Sequence, residues 1–341
     1  MSRSHASRRA VIALCVALAT LGGLPGAQAA EKVTVGALRF TSHAPTFIAK
    51  ERGYFAKEGL DVEIKFFQAA QPVAVAIASG DIDFGVTALT GGFFSLADKG
   101  ALKVIGGLYS EKRGYPGMAI LASNKAHAAG LTNLAKLKGH SWAMTQIGSS
   151  FHYAAALIGE ANGFGLTDLA LKPLQKVGAM IGAVSSGQVD AMAMVPHVAA
   201  PLAKAGKAKV IGQLADIAEY QVTTIFTSTK NIEAHADKVR RFMRAYSRAI
   251  ADYQAAMLDQ KKNPAATDAM VKLIHKYVYA ERPYEKAAGP IRAGAVYMNT
   301  GGAIKLADVA AQLAWFKANR LAPATLDMPK LVDTRFAEII R

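Results

Sequence analysis

Over its first two thirds the chain alternates short apolar runs with stretches of helical spacing. Apolar runs at 33–38, 62–67, 83–86 and 103–108 predict strands. Between them the pattern predicts helices at 45–57, 72–78 and 93–98, the first broken at Gly53 and closed at Gly59. The rhythm resumes at 118–122 and continues with strands at 141–144, 169–173, 189–194 and 209–212. Helices are predicted between them at 149–161, 178–185 and 197–205. Helix following strand in this order implies parallel strands with crossover helices. After residue 237 the alternation stops, and long helical patterns follow at 237–257, 265–279, 284–297 and 306–319.

One unit occurs twice. The segment 78–86 (ASGDIDFGV) is echoed at 184–194 (VSSGQVDAMAM), each copy preceded by an apolar helical stretch. Glycine ends that helix by taking positive φ, and the apolar run after the aspartate reads as a buried strand. Two such units predict two similar α/β lobes, and two lobes make a cleft. Asp83 and Asp190 correspond across the repeat, which points to a capping role for both. The pattern breaks near 114–117, where the first crossing between lobes is expected. The β-branched run at 221–227 is expected to be the return. The division is therefore a first lobe of 30–116 and 225–341 and a second of 117–224.

Composition changes this picture at the ends. Arg3, Arg8 and Arg9 precede an apolar run at 10–21, and Ala27-Gln28-Ala29 follows. Together these read as a secretory signal over 1–29, cleaved before Ala30, by the general or the twin-arginine route. The product would be periplasmic. The single cysteine, Cys15, lies inside that run, which removes disulfides, cysteine nucleophiles and cysteine-bound metals from the mature chain. The formal charge of +15 is spread along the chain without an arginine-rich tract interleaved with aromatics. It reads as solvated helix faces, and no nucleic-acid partner is expected.

Loops that follow strand ends and open helices are the natural binding elements of such a fold. Four qualify: 39–45, 87–92, 147–152 and 195–197. None contains Asp or Glu. They offer Arg39, His43, His152 and His197, hydroxyls from Thr41, Ser42, Thr87, Thr90, Ser149 and Ser150, and the helix-opening Gly148. Phe40, Leu89 and Pro196 complete these loops, and Tyr115 is a candidate wall at the crossing. An acid-free cleft suits an anion or a neutral polar ring, and a helix start at Ser149 would direct free N–H groups at it. Phe93, Phe94, Phe151 and Tyr220 lie near these loops in sequence and could stack on a planar ligand. The sequence contains no GxSxG, HExxH, phosphate-loop or dinucleotide motif, and neither an enzyme nor a cofactor is expected.

The run from Ala44 through Gly53-Tyr54-Phe55 to Glu58-Gly59-Leu60-Asp61-Val62-Glu63 resembles the first lobe of periplasmic substrate-binding proteins of ABC importers, of the nitrate/sulfonate/taurine type. The segments 79–85, 147–152 and 189–194 match as well, so the resemblance covers roughly 31–260. It implies an α/β, two-lobed periplasmic binding protein fold of type II, with parallel-rich sheets and extra C-terminal helices on the first lobe. It further implies a monomer that buries a small-molecule ligand between its lobes and hands it to a membrane permease. The family often carries an aromatic or acidic residue before the proline of the last loop, where Val195 stands here. A small organic anion, a sulfonate or carboxylate, is the expected ligand. A neutral pyrimidine-like ring, or a sensor without transport, is the alternative. Fungal pyrimidine-forming enzymes of thiamine synthesis share the fold but depend on a cysteine-rich motif that is missing here.

Overall fold

The computed structural model describes residues 29–340. The signal segment expected at 1–29 thus lies outside the described residues, apart from Ala29. The first half of the chain supplies β1 (Glu31–Ala37), β2 (Leu60–Phe66), β3 (Phe84–Ala88), β4 (Leu102–Gly107) and the short β5 (Ser110–Glu111). Next come β6 (Ala119–Ala122), β7 (Ser141–Met144), β8 (Ala170–Pro173), β9 (Ala191–Met194) and β10 (Lys209–Gln213). The short β11 (Tyr220–Gln221) leads into β12 (Thr223–Ser228).

These strands form two five-stranded sheets with one topology. The first runs β2-β1-β3-β12-β4 and the second, from its far edge, β8-β7-β9-β6-β10. In each, the first three positions pair in parallel, and an antiparallel strand occupies the fourth. The repeat seen in the sequence maps helix Ala70–Ser79 and β3 onto helix Val177–Ser185 and β9. Its aspartates do equivalent work. Asp83 accepts the Thr34 amide of β1 at 2.8 Å, and Asp190 accepts the Ser141 amide of β7 at 2.9 Å. Each carboxylate satisfies a strand amide and locks neighbouring strands in register.

Two details depart from the sequence pattern. The run at 221–227 is mostly β12, a central strand of the first sheet, and only β11 belongs to the connection. Its partner in that connection is β5, antiparallel, with Tyr220 opposite Glu111, just ahead of the segment at 114–117. A strand buried on both faces carries no directional signal, so the antiparallel members β6 and β12 look like parallel ones in sequence.

The C-terminal helices pack onto the first sheet's helices. Helix Ala236–Tyr253 lies against Ala44–Glu51, where Thr46 and Tyr246 hydroxyls bond at 2.7 Å, and Phe242 stacks on Phe84. They also reach the other half. Helix Tyr284–Ala293 packs on Pro196–Lys204, and Trp315 of helix Leu306–Ala318 meets His152 and Tyr153 edge-on at 5.4 and 5.2 Å. Among the described residues no helix is long and apolar enough to cross a membrane.

Candidate functional site

Between the two sheets lies a cavity of about 50 Å³. Its floor is the connection itself: Tyr109, Met118, Val222 and Thr223. Its walls come from helix starts. His43 caps the start of Ala44–Glu51, Ala69 that of Ala70–Ser79 and Ser149 that of Ser150–Asn162, while Val177 opens Val177–Ser185 and Val195 precedes Pro196–Lys204. Five helices therefore present their N-terminal ends to one small volume, at the carboxyl ends of β1, β2, β7, β8 and β9. Of the five, Ser149 alone caps its helix through a side chain, and His43, Ala69, Lys176 and Val195 do not.

The two halves touch around the cavity. Gly91 N–H donates to Gly148 O at 2.9 Å, Val177 N–H to Gln68 O at 3.4 Å, and Tyr279 OH to His197 O at 2.9 Å. Gly148 has φ +75°, a backbone that L side chains rarely adopt, and this turn brings its carbonyl to Gly91.

No lining residue is Asp, Glu, Lys or Arg. The three loop histidines add no charge near neutral pH. Burial holds His43 at about 3, and its Nδ1 accepts the Leu38 amide at 2.9 Å, so the ring proton stays on Nε2. Burial, reinforced by nearby His43, holds His197 at about 3, against an opposing backbone contact from Arg39. Burial also lowers His152, whose Nδ1 accepts the Gly148 amide at 3.0 Å while Nε2 is buried without a partner.

The candidate residues divide. Phe40, Ser42, His43, Thr87, Ser149 and Ser150 line the cavity. Arg39 is exposed, lies over the Phe66 ring at 3.9 Å and donates to Tyr277 O, because it stands in the bend just past the end of β1, turned away from the cavity. Thr41 and His197 bond to each other at 3.1 Å across the halves. Thr90 caps helix Gly91–Asp98 and donates to Gln71, and Leu89 is packed in the core. Gly148 and His152 hold the loop behind Ser149. Tyr115 and Pro196 line a separate surface groove, where Tyr115 leans on Tyr297 at 5.0 Å. Among the nearby aromatics only Phe151 joins Phe40 at the cavity. Phe93 and Phe94 pack on Phe226 and Phe316, and Tyr220 on Tyr153. Sequence reasoning missed the floor, together with Thr145, Ala69, Ala70 and Val177. Helix starts without a capping side chain leave no local signal. Among the described residues no cluster of His, Cys, Asp or Glu is arranged to hold a metal ion.

Solved structures share this architecture. The alkanesulfonate-binding protein SsuA of Xanthomonas axonopodis pv. citri, bound to MOPS, superposes with a TM-score of 0.70 at 18% identity, over 88% of this chain and 97% of that one. The periplasmic aliphatic sulphonate-binding protein SsuA of Escherichia coli gives 0.69 at 19%, over 89% and 92%. The periplasmic nitrate-binding protein NrtA of Synechocystis PCC 6803 gives 0.60 at 17%, over 80% and 72%. The fold is thus the two-lobed one of periplasmic binding proteins. Among curated proteins none is significantly similar. The family described as NMT1/THI5 like matches residues 40–258, well over half of the chain, and the protein belongs to that family.

Proposed function

We propose that this protein is the extracytoplasmic solute-binding component of an ABC importer, capturing a small organic anion between its halves. The observation that carries the reading is the convergence of five helix N-termini on a cavity free of acidic side chains. Each terminus favours a negative charge by about 0.3–1 kcal/mol, so five supply about 1.5–5 kcal/mol. Micromolar affinity corresponds to roughly 8 kcal/mol. Hydroxyls from Ser42, Thr145 and Ser150, with apolar cover from Phe40, Tyr109 and Phe151, can provide the remainder. The sulfonate-binding proteins of like fold support the same ligand class.

A second reading rests on a specific observation. The cavity has no lysine or arginine and is mostly apolar, which also fits a neutral pyrimidine-like ring. Thermal shift and calorimetry with alkyl and aryl sulfonates, carboxylates, nitrate and pyrimidines separate the two, since a bound ligand raises the melting temperature by mass action. Stabilisation by sulfonates or carboxylates supports the anion reading. Response to pyrimidines alone would replace it.

The lobes in this reading are 30–116 with 225–341, and 117–224, turning about β5 and β11. The chain is exported to the periplasm, cleaved before Ala30, works as a monomer and docks on a membrane permease. No catalysis is assigned to it. Ligand shifts the open–closed balance only through contacts made in the closed arrangement. Small-angle scattering should show compaction on ligand addition, and unchanged dimensions would refute the hinge.

A further inference from the structure

Behind the cavity floor lies an ionisable group that the binding scheme leaves unused. Glu111 sits in β5, fully buried, opposite Tyr220 of β11. Its Oε1 accepts the Tyr109 hydroxyl and, at 2.9 Å, the Met118 amide. Both of those residues line the cavity. Its Oε2 is buried with no partner. The packing there is tight, since a Cβ on Gly117 would lie 2.0 Å from Oε2.

Among the described residues no cation compensates this carboxyl group. Lys112, next in sequence, is turned over the Tyr297 ring at 4.1 Å, and Arg113 donates to Asp216 O. The titratable groups that face Glu111 are tyrosines: Tyr109 on its own segment, Tyr220 on the opposing strand, and Tyr153 behind Tyr220. Tyr109 and Tyr220 stay protonated, pushed well above 10 by burial and by the Glu111 charge. Burial raises Glu111 itself to about 7, against the opposing pull of Tyr109 and Met118. His43 in the cavity wall stays neutral throughout.

We propose that the cavity takes up its anionic ligand together with one proton, which is held on Glu111 behind the Tyr109 wall. The proposal rests on the anion reading above. Two negative charges sharing a buried site disfavour each other, so an anion in the cavity raises the affinity of Glu111 for a proton. Linkage fixes the sign: where free protein has lost that proton and the complex has regained it, affinity falls as pH rises. Below the free protein's midpoint the group is already protonated, and affinity is level. The Tyr109 hydroxyl relays the state of Glu111 to the cavity wall.

The test uses methanesulfonate, benzenesulfonate and benzoate, whose charge is constant between pH 5.5 and 8.5. Titration calorimetry in buffers of different ionisation enthalpy reads proton uptake directly. The expected result at pH 8 is uptake approaching one proton per ligand, with Kd weakening by up to about tenfold per pH unit above 7. Uptake should be close to zero at pH 5.5. Glu111→Gln should bind with level affinity across the range and no uptake. Tyr109→Phe, which removes a hydrogen bond to the ionised form, should move the midpoint to higher pH and covers the case in which Glu111→Gln does not fold. Binding without uptake at pH 8, or pH dependence persisting in Glu111→Gln, would overturn the proposal and leave the anion reading standing. Binding of none of the three probes at any pH would overturn both.

Discussion

Replacing Glu111 by Gln should make the ligand-free protein more stable relative to the wild type as pH rises from 5 to 8. In the native state burial holds this carboxyl at about 7, against 4.5 for the ordinary group. The folded chain therefore keeps a proton that the unfolded chain has released between those two values. Stability falls as pH rises across that window and levels off above it. Integrating the linkage between pH 5 and pH 8 gives a loss of about 2.5 kcal/mol for the wild type. Glutamine keeps an oxygen for the Tyr109 hydroxyl and the Met118 amide but places an NH2 where Oε2 has no partner. That constant cost, about 1–3 kcal/mol for an unpaired buried group, cancels when the two pH values are compared. The assay is urea unfolding of both proteins at pH 5 and pH 8, followed by fluorescence of buried Trp142. The stability difference, variant minus wild type, should shift by about 2.5 kcal/mol in favour of the variant at pH 8. A shift under about 0.5 kcal/mol would mean that Glu111 titrates as if solvated, and the reasoning from burial would be wrong.

Other outcomes follow from the same geometry. Ser149→Ala removes the hydroxyl that accepts the His152 amide, and should cost about 1 kcal/mol in chemical denaturation while weakening ligand binding in calorimetry. Asp83→Ala and Asp190→Ala should each cost about 1 kcal/mol, since each removes the acceptor of a half-buried strand amide. Equal losses would reflect their equivalent places, whereas a neutral Asp190→Ala would contradict its role. His43 and His197, held at about 3 by burial, should show no NMR titration between pH 5 and 8. Their share of stability should decline as pH falls below 6.5, because the unfolded rings take up protons first. A ring titrating near 6.5 would show that its pocket is open to water.

Much of the architecture is legible in the repeat. Ser-Gly, two residues and Asp after an apolar helix mark corresponding places in both sheets, and Asp83 and Asp190 then bind corresponding strands. Strand direction is less legible. β6 is buried along its whole length and β12 at every position but the last, so nothing local separates an antiparallel neighbour from a parallel one. At the site, loop position was informative where a helix begins with a capping residue, as at Ser149. It misled where the chain turns a side chain out past a strand end, as at Arg39, or where two candidates satisfy each other, as Thr41 and His197 do. Tyr109 and Met118 are invisible in sequence because they acquire meaning only when distant segments form the floor.

The strand order bears on how the chain assembles during synthesis. Every strand of the second sheet falls within 119–213, so that sheet can close once this stretch has emerged. The first sheet cannot. Its β3 and β4 are separated by β12, which appears more than a hundred residues later. Until then an incomplete N-terminal half exposes unpaired strand edges, which are prone to pairing with other chains. A nascent polypeptide of this design stays dependent on protection until residue 228 is available, and its later-made half reaches native order first.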